Sequence, residues 1–151
     1  MKRGEQKHIP TPGQPRTHHL IGAYDWVDDQ VTWLPVKRKN SESFIAFLEH
    51  LLLDRYREQA VILVLDNASF HKSAAAFAAL SLFEHRVRVV WLPPYCSTLN
   101  PIERFWRHLK DQVCINKLFP DMEQLIQAVE KHLNAQNQAQ NPKRFSFLND
   151  K

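Results

Sequence analysis

Two acidic side chains in this sequence stand where chemistry could be done. The stretch VLDNASFH, Val64 to His71, ends an apolar run on Asp66, then adds the amide Asn67 and, five residues past the acid, His71. Downstream, LPPYCSTLNPIERFW sets Glu103 just after an Asn-Pro pair, with thirty-six residues between the two acids. Two or three carboxylates converging on one point are hard oxygen ligands, suited to Mg²⁺ or Mn²⁺. Two such ions can activate a water or a 3′-hydroxyl and stabilise the leaving oxygen during phosphoryl transfer. Each residue also has an ordinary structural reading. Asp66 suits a strand-end turn that uses its side chain on nearby N–H groups. Glu103 suits a capping-box-like pair with Asn100 or a pair with Arg107 four residues on. His71 reads as a loop or helix-start histidine rather than a base, and Asn67 either orients Asp66 or holds the turn.

The elements that must position these groups are legible from periodicity. HLIGAYDW, the polar turn VDDQ and VTWLPV read as a hairpin. Ser41 suits the cap of a helix over about residues 42 to 57, where Phe44, Phe47, Leu48, Leu51 and Leu52 recur at helical spacing. AVILVLD, residues 60 to 66, is apolar up to its final acid, the pattern of a strand covered on both faces. An alanine-rich helix near residues 72 to 84 precedes a further strand, VRVVWLP. Asn100 and Pro101 are a good N-cap and first helical residue for a helix to about Val113. On that helix Ile102, Phe105, Trp106, Leu109 and Val113 share one face, with Glu103 at its flank. Asp121 caps a last helix to about Asn134. A hairpin followed by βαβ units predicts an α/β fold, a mixed sheet with flanking helices on both faces. In such sheets functional groups collect at the carboxyl ends of strands, where Asp66 lies and where a neighbouring strand would bring Glu103. Trp26, Trp33, Trp91 and Trp106 read as core aromatics.

Composition narrows the class. At 151 residues with 44% hydrophobic content the chain fits one core-forming domain. A net charge of +4 and a pI near 9.2 suit a polyanionic partner such as DNA without demanding one. Cys96 and Cys114 lack paired spacing, so a disulfide framework is not expected and a reducing, intracellular setting is. His18, His19 and Cys96 lack zinc-site spacing. No apolar run approaches the ~20 residues of a membrane helix, and the N-terminus lacks the apolar stretch of a secretory signal. Residues 1–19 carry Lys2, Arg3, Lys7 and Arg16 against a single acid, Glu5, and read as an extended basic arm. Residues 20–135 form the expected core and residues 136–151 a polar tail.

VLDNASFH together with VVWLPPYCSTLNPIERFW resembles the second half of the DDE transposase core of mariner-type bacterial insertion sequences. That family shows an Asp-Asn-x-x-x-His strand end, then Leu-Pro-x-Tyr, then Leu-Asn-Pro-Ile-Glu and an aromatic-rich helix. The resemblance covers about residues 2 to 113, more loosely thereafter, and departs at YCSTLNP, where many relatives carry Ser-Pro after the tyrosine. It implies an RNase H-like fold, with Asp66 and Glu103 as catalytic ligands of two Mg²⁺ or Mn²⁺ ions. It further implies cleavage and transfer of DNA strands at transposon ends and targets, in the bacterial cytoplasm, by an oligomer when active.

The family's first acid sits on the opening, central strand of the sheet. KRGEQKHIPTPGQPRTHHLIGAYDW resembles the segment that follows that strand. On this alignment Asp25 lies on the second strand, and the first strand and its acid precede Met1. The chain is therefore expected to be a partial core lacking its first strand, with neighbouring strands facing a gap. Buried unpaired backbone groups cost about 1–3 kcal/mol each, so a few rival the ~5–15 kcal/mol stability of a domain. Either the fold is marginal or another polypeptide, such as the product of an upstream reading frame, completes it. Three functional readings follow: a transposase-core fragment whose third carboxylate comes from elsewhere, an inactive remnant or regulator that binds DNA or the intact transposase, and an active core in which Asp25 substitutes for the absent acid.

Overall fold

The computed structural model describes residues 18–114 and 117–138. Strands β1 (His19–Asp25) and β2 (Gln30–Val36) form the expected hairpin, in antiparallel register from His19 opposite Val36 to Asp25 opposite Gln30. The Asp25 carboxylate closes the turn by accepting the N–H groups of Val27 and Asp28, at 2.9 and 3.2 Å. Asp29 follows in the left-handed region, φ 54°, and accepts the Tyr24 hydroxyl proton at 2.6 Å. Burial, then that hydrogen bond, push the Tyr24 hydroxyl well above the usual phenol range, so it stays a donor.

Helix α1 (Ser41–Glu49) starts one residue earlier than expected. Its N-cap is Asn40, whose side chain accepts Ser43 N–H at 2.9 Å. The helix does not run on as α to residue 57. From His50 to Arg55 it widens to π geometry, closed by Tyr56 N–H donating to Leu51 C=O, five residues back, at 2.9 Å. The Arg86 guanidinium accounts for this ending, because it takes the carbonyls of Leu52, Tyr56 and Gln59.

Strands β3 (Val61–Leu65) and β4 (Val87–Trp91) pair in parallel, Leu65 opposite Trp91. Helix α2 (Ala74–Ser81) connects them, shorter than the predicted span because Ser73 caps it by accepting Ala76 N–H, and a 3₁₀ turn, Ser69–His71, precedes it. Helix α3 (Pro101–Cys114) buries Phe105, Leu109 and Val113, spaced four residues apart. Helix α4 (Met122–Gln138) is capped by Asp121 as expected but continues past Asn134. Its last turn is anchored: Gln136 donates to Asp29 C=O, and the Asn137 side chain both accepts Val31 N–H and donates to Val31 C=O, each at 2.7 Å.

The architecture is α/β, compatible with an RNase H-like fold. Instead of the expected single mixed sheet, the described strands form two separate two-stranded sheets, β1–β2 and β3–β4. Each anchors its own cluster. Phe44, Leu48, Leu51, Leu63, Leu65, Ala76 and Leu80 form one, beneath α1 and α2. Tyr24, Val31, Phe105, Leu109, Val113 and Leu133 form the other, beneath α3 and α4. The hairpin is shared: Ile21, Ala23 and Leu34 pack on the first cluster, Leu20, Tyr24 and Val31 on the second, following the two-residue alternation of strands. The two-sided cover predicted for the 60–66 strand is not what the structure has. One face of β3–β4 is buried, while Ile62 and Val90 on the other are 64% and 44% exposed, because α3 lies over β1 instead. The four tryptophans are half-buried at the rims of the clusters rather than central.

Trp106 rests directly on Gly22. A methyl group there would come within 2.5 and 2.8 Å of two outer indole carbons, so the rigid ring would have to shift as a whole. Gly22→Ala is expected to cost about 1–3 kcal/mol, the range for overpacking, and to lower Tm by roughly 2–4 °C per kcal/mol, measurable by thermal melting. Between α3 and α4, burial, then the neighbouring His108 and Lys117 charges, lower the His132 pKa below its ordinary 6.5. The unfolded chain therefore takes up that proton first. Stability is full above the ordinary value and is lost as pH falls below it. Acidification from about pH 7.5 to about pH 5 should lower Tm less steeply in His132→Gln than in the parent; equal slopes would remove His132 as a cause.

Candidate active site

Between the facing edges of β1 and β3 lies a cavity of about 500 Å³. Every residue from Leu20 to Asp28 and from Ala60 to Asp66 lines it. Consecutive residues of each strand contribute, as expected when strands present their edges. Val31 gives its backbone N–H and C=O to Asn137, so its partner Tyr24 lies at a position where the two strands do not exchange hydrogen bonds. By the same alternation the N–H groups of Gly22 and Leu20 also point away from β2, toward the cavity, and Leu20 lies opposite Pro35, which has no N–H to give.

Asp66 stands at the carboxyl end of β3 and Glu103 in the first turn of α3; both line this cavity. The parallel β3–β4 pairing is what brings the α3 start to the Asp66 end of the sheet. Asn100 prepares that start by accepting Ile102 N–H on its side chain and Glu103 N–H on its carbonyl. Among the described residues the Glu103 carboxylate has no hydrogen bond or ion pair, so neither the Asn100 box nor the Arg107 pair forms. The carboxylate is exposed, at a helix N-terminus that favours negative charge.

Asp66 is held more firmly. Its Oδ1 accepts Ala68 N–H at 3.0 Å and lies 2.9 Å from His71 Nδ1, while Oδ2 has no partner among the described residues. The His71 ring is wedged against Phe44 and Phe70, with centroids at 4.5 and 4.4 Å. Asn67 does not orient the acid: its side chain donates to Leu92 C=O at 2.7 Å, tying the ends of β3 and β4 together. The sequence undervalued His71. Its position five residues past the acid was the visible signal, but only the 3₁₀ turn shows that this spacing folds the ring back onto Asp66.

Asp25 also lines the cavity, at the other end. Its Oδ2 accepts the Tyr56 hydroxyl at 2.8 Å, and Tyr56 C=O is bound by Arg86, whose own carbonyl receives Val61 N–H at the start of β3. A five-residue strand, about 16 Å at ~3.3 Å per residue, separates that end from Asp66. Burial, then the Asp25 hydrogen bond, raise the Tyr56 hydroxyl well above its usual range. The Asp25 carboxylate thus serves the hairpin turn and Tyr56.

Among the described residues no three histidines, cysteines or acids cluster as a metal site would. Asp66 and Glu103, both lining the cavity, are each a hard carboxylate of the kind that suits Mg²⁺, which keeps several waters and takes one or two protein carboxylates. Basic residues occur close by in sequence: Lys72, just past His71, lies over the Trp91 ring at 4.9 Å, and Arg104, Arg107 and Lys110 are exposed on α3.

An α/β fold with acids from a strand end and a helix start at one cleft defines a class of proteins rather than one member. The chain belongs to the DDE superfamily endonuclease family, whose model matches residues 1–126. It is also similar to the insertion element IS630 uncharacterized 39 kDa protein of Shigella sonnei, 32% identical over 127 residues. That match covers 84% of this chain and 37% of the relative, so the chain spans little more than a third of that protein's length. No helix among the described residues is long and apolar enough to cross a membrane.

Proposed function

We propose that this chain carries part of the catalytic core of an insertion-element transposase, cutting and joining DNA at element ends with divalent metal ions. The observation that carries the reading is that Asp66 and Glu103, from separate elements, line one cavity in a DDE-family chain. Asp66 through its open Oδ2 and Glu103 through its exposed carboxylate would hold Mg²⁺ or Mn²⁺. Bound there, such ions activate a water or hydroxyl nucleophile and neutralise charge on the leaving oxygen. The residues of the chain contribute placement: Asp66 at a strand end and Glu103 on a capped helix, while the basic Lys72, Arg107 and Lys110, close by in sequence, would be available to DNA phosphates.

The core is completed by an extended strand docked between β1 and β3, bringing a third carboxylate beside Asp66. An upstream polypeptide is the proposed source. A strand there would pair with the cavity-facing N–H groups of β1, which otherwise must rely on water. A second reading, an inactive remnant or regulator, is favoured by the absence of a third acid at the pair among the described residues.

In the complete protein, Asp66→Ala and Glu103→Ala should each abolish Mg²⁺-dependent cleavage of terminal-repeat DNA. Losing a residue that only supports a metal ligand costs about 10–100-fold, and losing a ligand is expected to cost more. Full activity in either variant would sink the assignment; cleavage by this chain alone that depends on Glu103 would rule out the inactive reading. Hydrogen exchange tests the docked strand. Adding the upstream polypeptide should slow exchange at the Leu20 and Gly22 amides while leaving Ile21 and Ala23, already paired to β2, nearly unchanged; uniform protection or none would reject it.

A further inference from the structure

We infer that His71 is the positioning residue for Asp66, holding one carboxylate oxygen so that the other faces the cation. The inference rests on the metal reading above and goes beyond it. His71 Nδ1 faces two oxygens, Asp66 Oδ1 at 2.9 Å and Asp66 C=O at 3.3 Å. Both are acceptors, so Nδ1 carries the proton; its hydrogen bond goes to Asp66 C=O, with Oδ1 close beside it. Ala68 N–H donates to the same Oδ1 at 3.0 Å. The His71 Nδ1 lies beside that oxygen, while none of the described residues donates to Oδ2, a division that orients the carboxylate and favours binding of a metal through one oxygen.

The ring is itself held. Its side chain is 13% exposed against 30% for Asp66, and it lies between fully buried Phe44 and the Phe70 edge. Phe70 C=O in turn lies 3.5 Å from the Ser41 hydroxyl at the start of α1. The orientation of Asp66 therefore depends on how α1 packs against the 3₁₀ turn, a link that the acid's place at the end of β3 does not supply.

Two substitutions separate this role from simple packing. His71→Phe keeps the ring and removes the donor. His71→Asn removes the ring and keeps a donor at the δ position. Mg²⁺ titration of the full chain, followed through the backbone NMR signals of Asp66 and Asn67, reads affinity without any need for catalysis, and thermal melting reads the fold. The expected result is about tenfold weaker Mg²⁺ binding in His71→Phe with Tm retained, and binding within about threefold of the parent in His71→Asn with Tm lowered. A packing role alone predicts the reverse order. Parent-like binding in His71→Phe, or equally weak binding in both variants, overturns the inference. Asp66→Asn separates the two levels. If it binds Mg²⁺ as the parent does, the metal reading falls and this inference with it. If it loses binding while His71→Phe retains it, only the role of His71 is wrong.

Discussion

The backbone groups along the facing edges of β1 and β3 need partners, and the rest of the site is arranged around that need. A strand hydrogen-bonded on one side leaves alternate N–H and C=O groups on the other, and burying them unpaired costs more than a small domain can absorb in number. In this chain the two edges meet across a cavity rather than across a ladder. The cavity is thus more than a void beside two acids: its walls are strand edges with hydrogen-bonding capacity, and its rim carries the Asp66 and Glu103 carboxylates.

The contrast with β2 is instructive. Its outer edge is met at Val31 by the Asn137 side-chain amide, which supplies one acceptor and one donor as a neighbouring strand would. Pro35, lacking an N–H, lies on the same alternation. The hairpin is closed off on that side and buried on both faces, so it acts as the common wall of two clusters. The β3–β4 pair is tied to α1 and α2 on one face only. Rigid support for the acids comes instead from local ties: Asn67 to Leu92, Ala68 and His71 to Asp66, and Asn100 to the start of α3.

Charge is distributed to suit this division. Asp25, at the far end of the cavity, is engaged with Tyr56 and the hairpin turn. Glu103 has no partner among the described residues and Asp66 keeps one oxygen open. Acids that stabilise the fold and acids open to a ligand are therefore separated along one cavity, a separation that composition does not reveal.

Much of this was legible from residue order. The hairpin, the β3 and β4 strands, the Asn100–Pro101 helix start and the Asp121 cap all follow from local patterns: alternation, helical period and capping chemistry act over a few residues. Asp66 and Glu103 stand out as candidate ligands from the Asp-Asn-x-x-x-His and Leu-Asn-Pro-Ile-Glu stretches that carry them, and both line the same cavity. The end of α1 was not legible, because Arg86, thirty residues beyond Tyr56, takes its last carbonyls. Nor was the continuation of α4, which depends on Asn137 reaching Val31. The sequence by itself determined which segments become strands and helices and which carboxylates end them. Only the tertiary structure decided that the strands form two sheets with a cleft between, that Asp25 faces Tyr56, and that His71 grips Asp66. Those outcomes depend on contacts between residues far apart in the chain or on the path of an irregular turn, and neither leaves a periodic trace in the sequence.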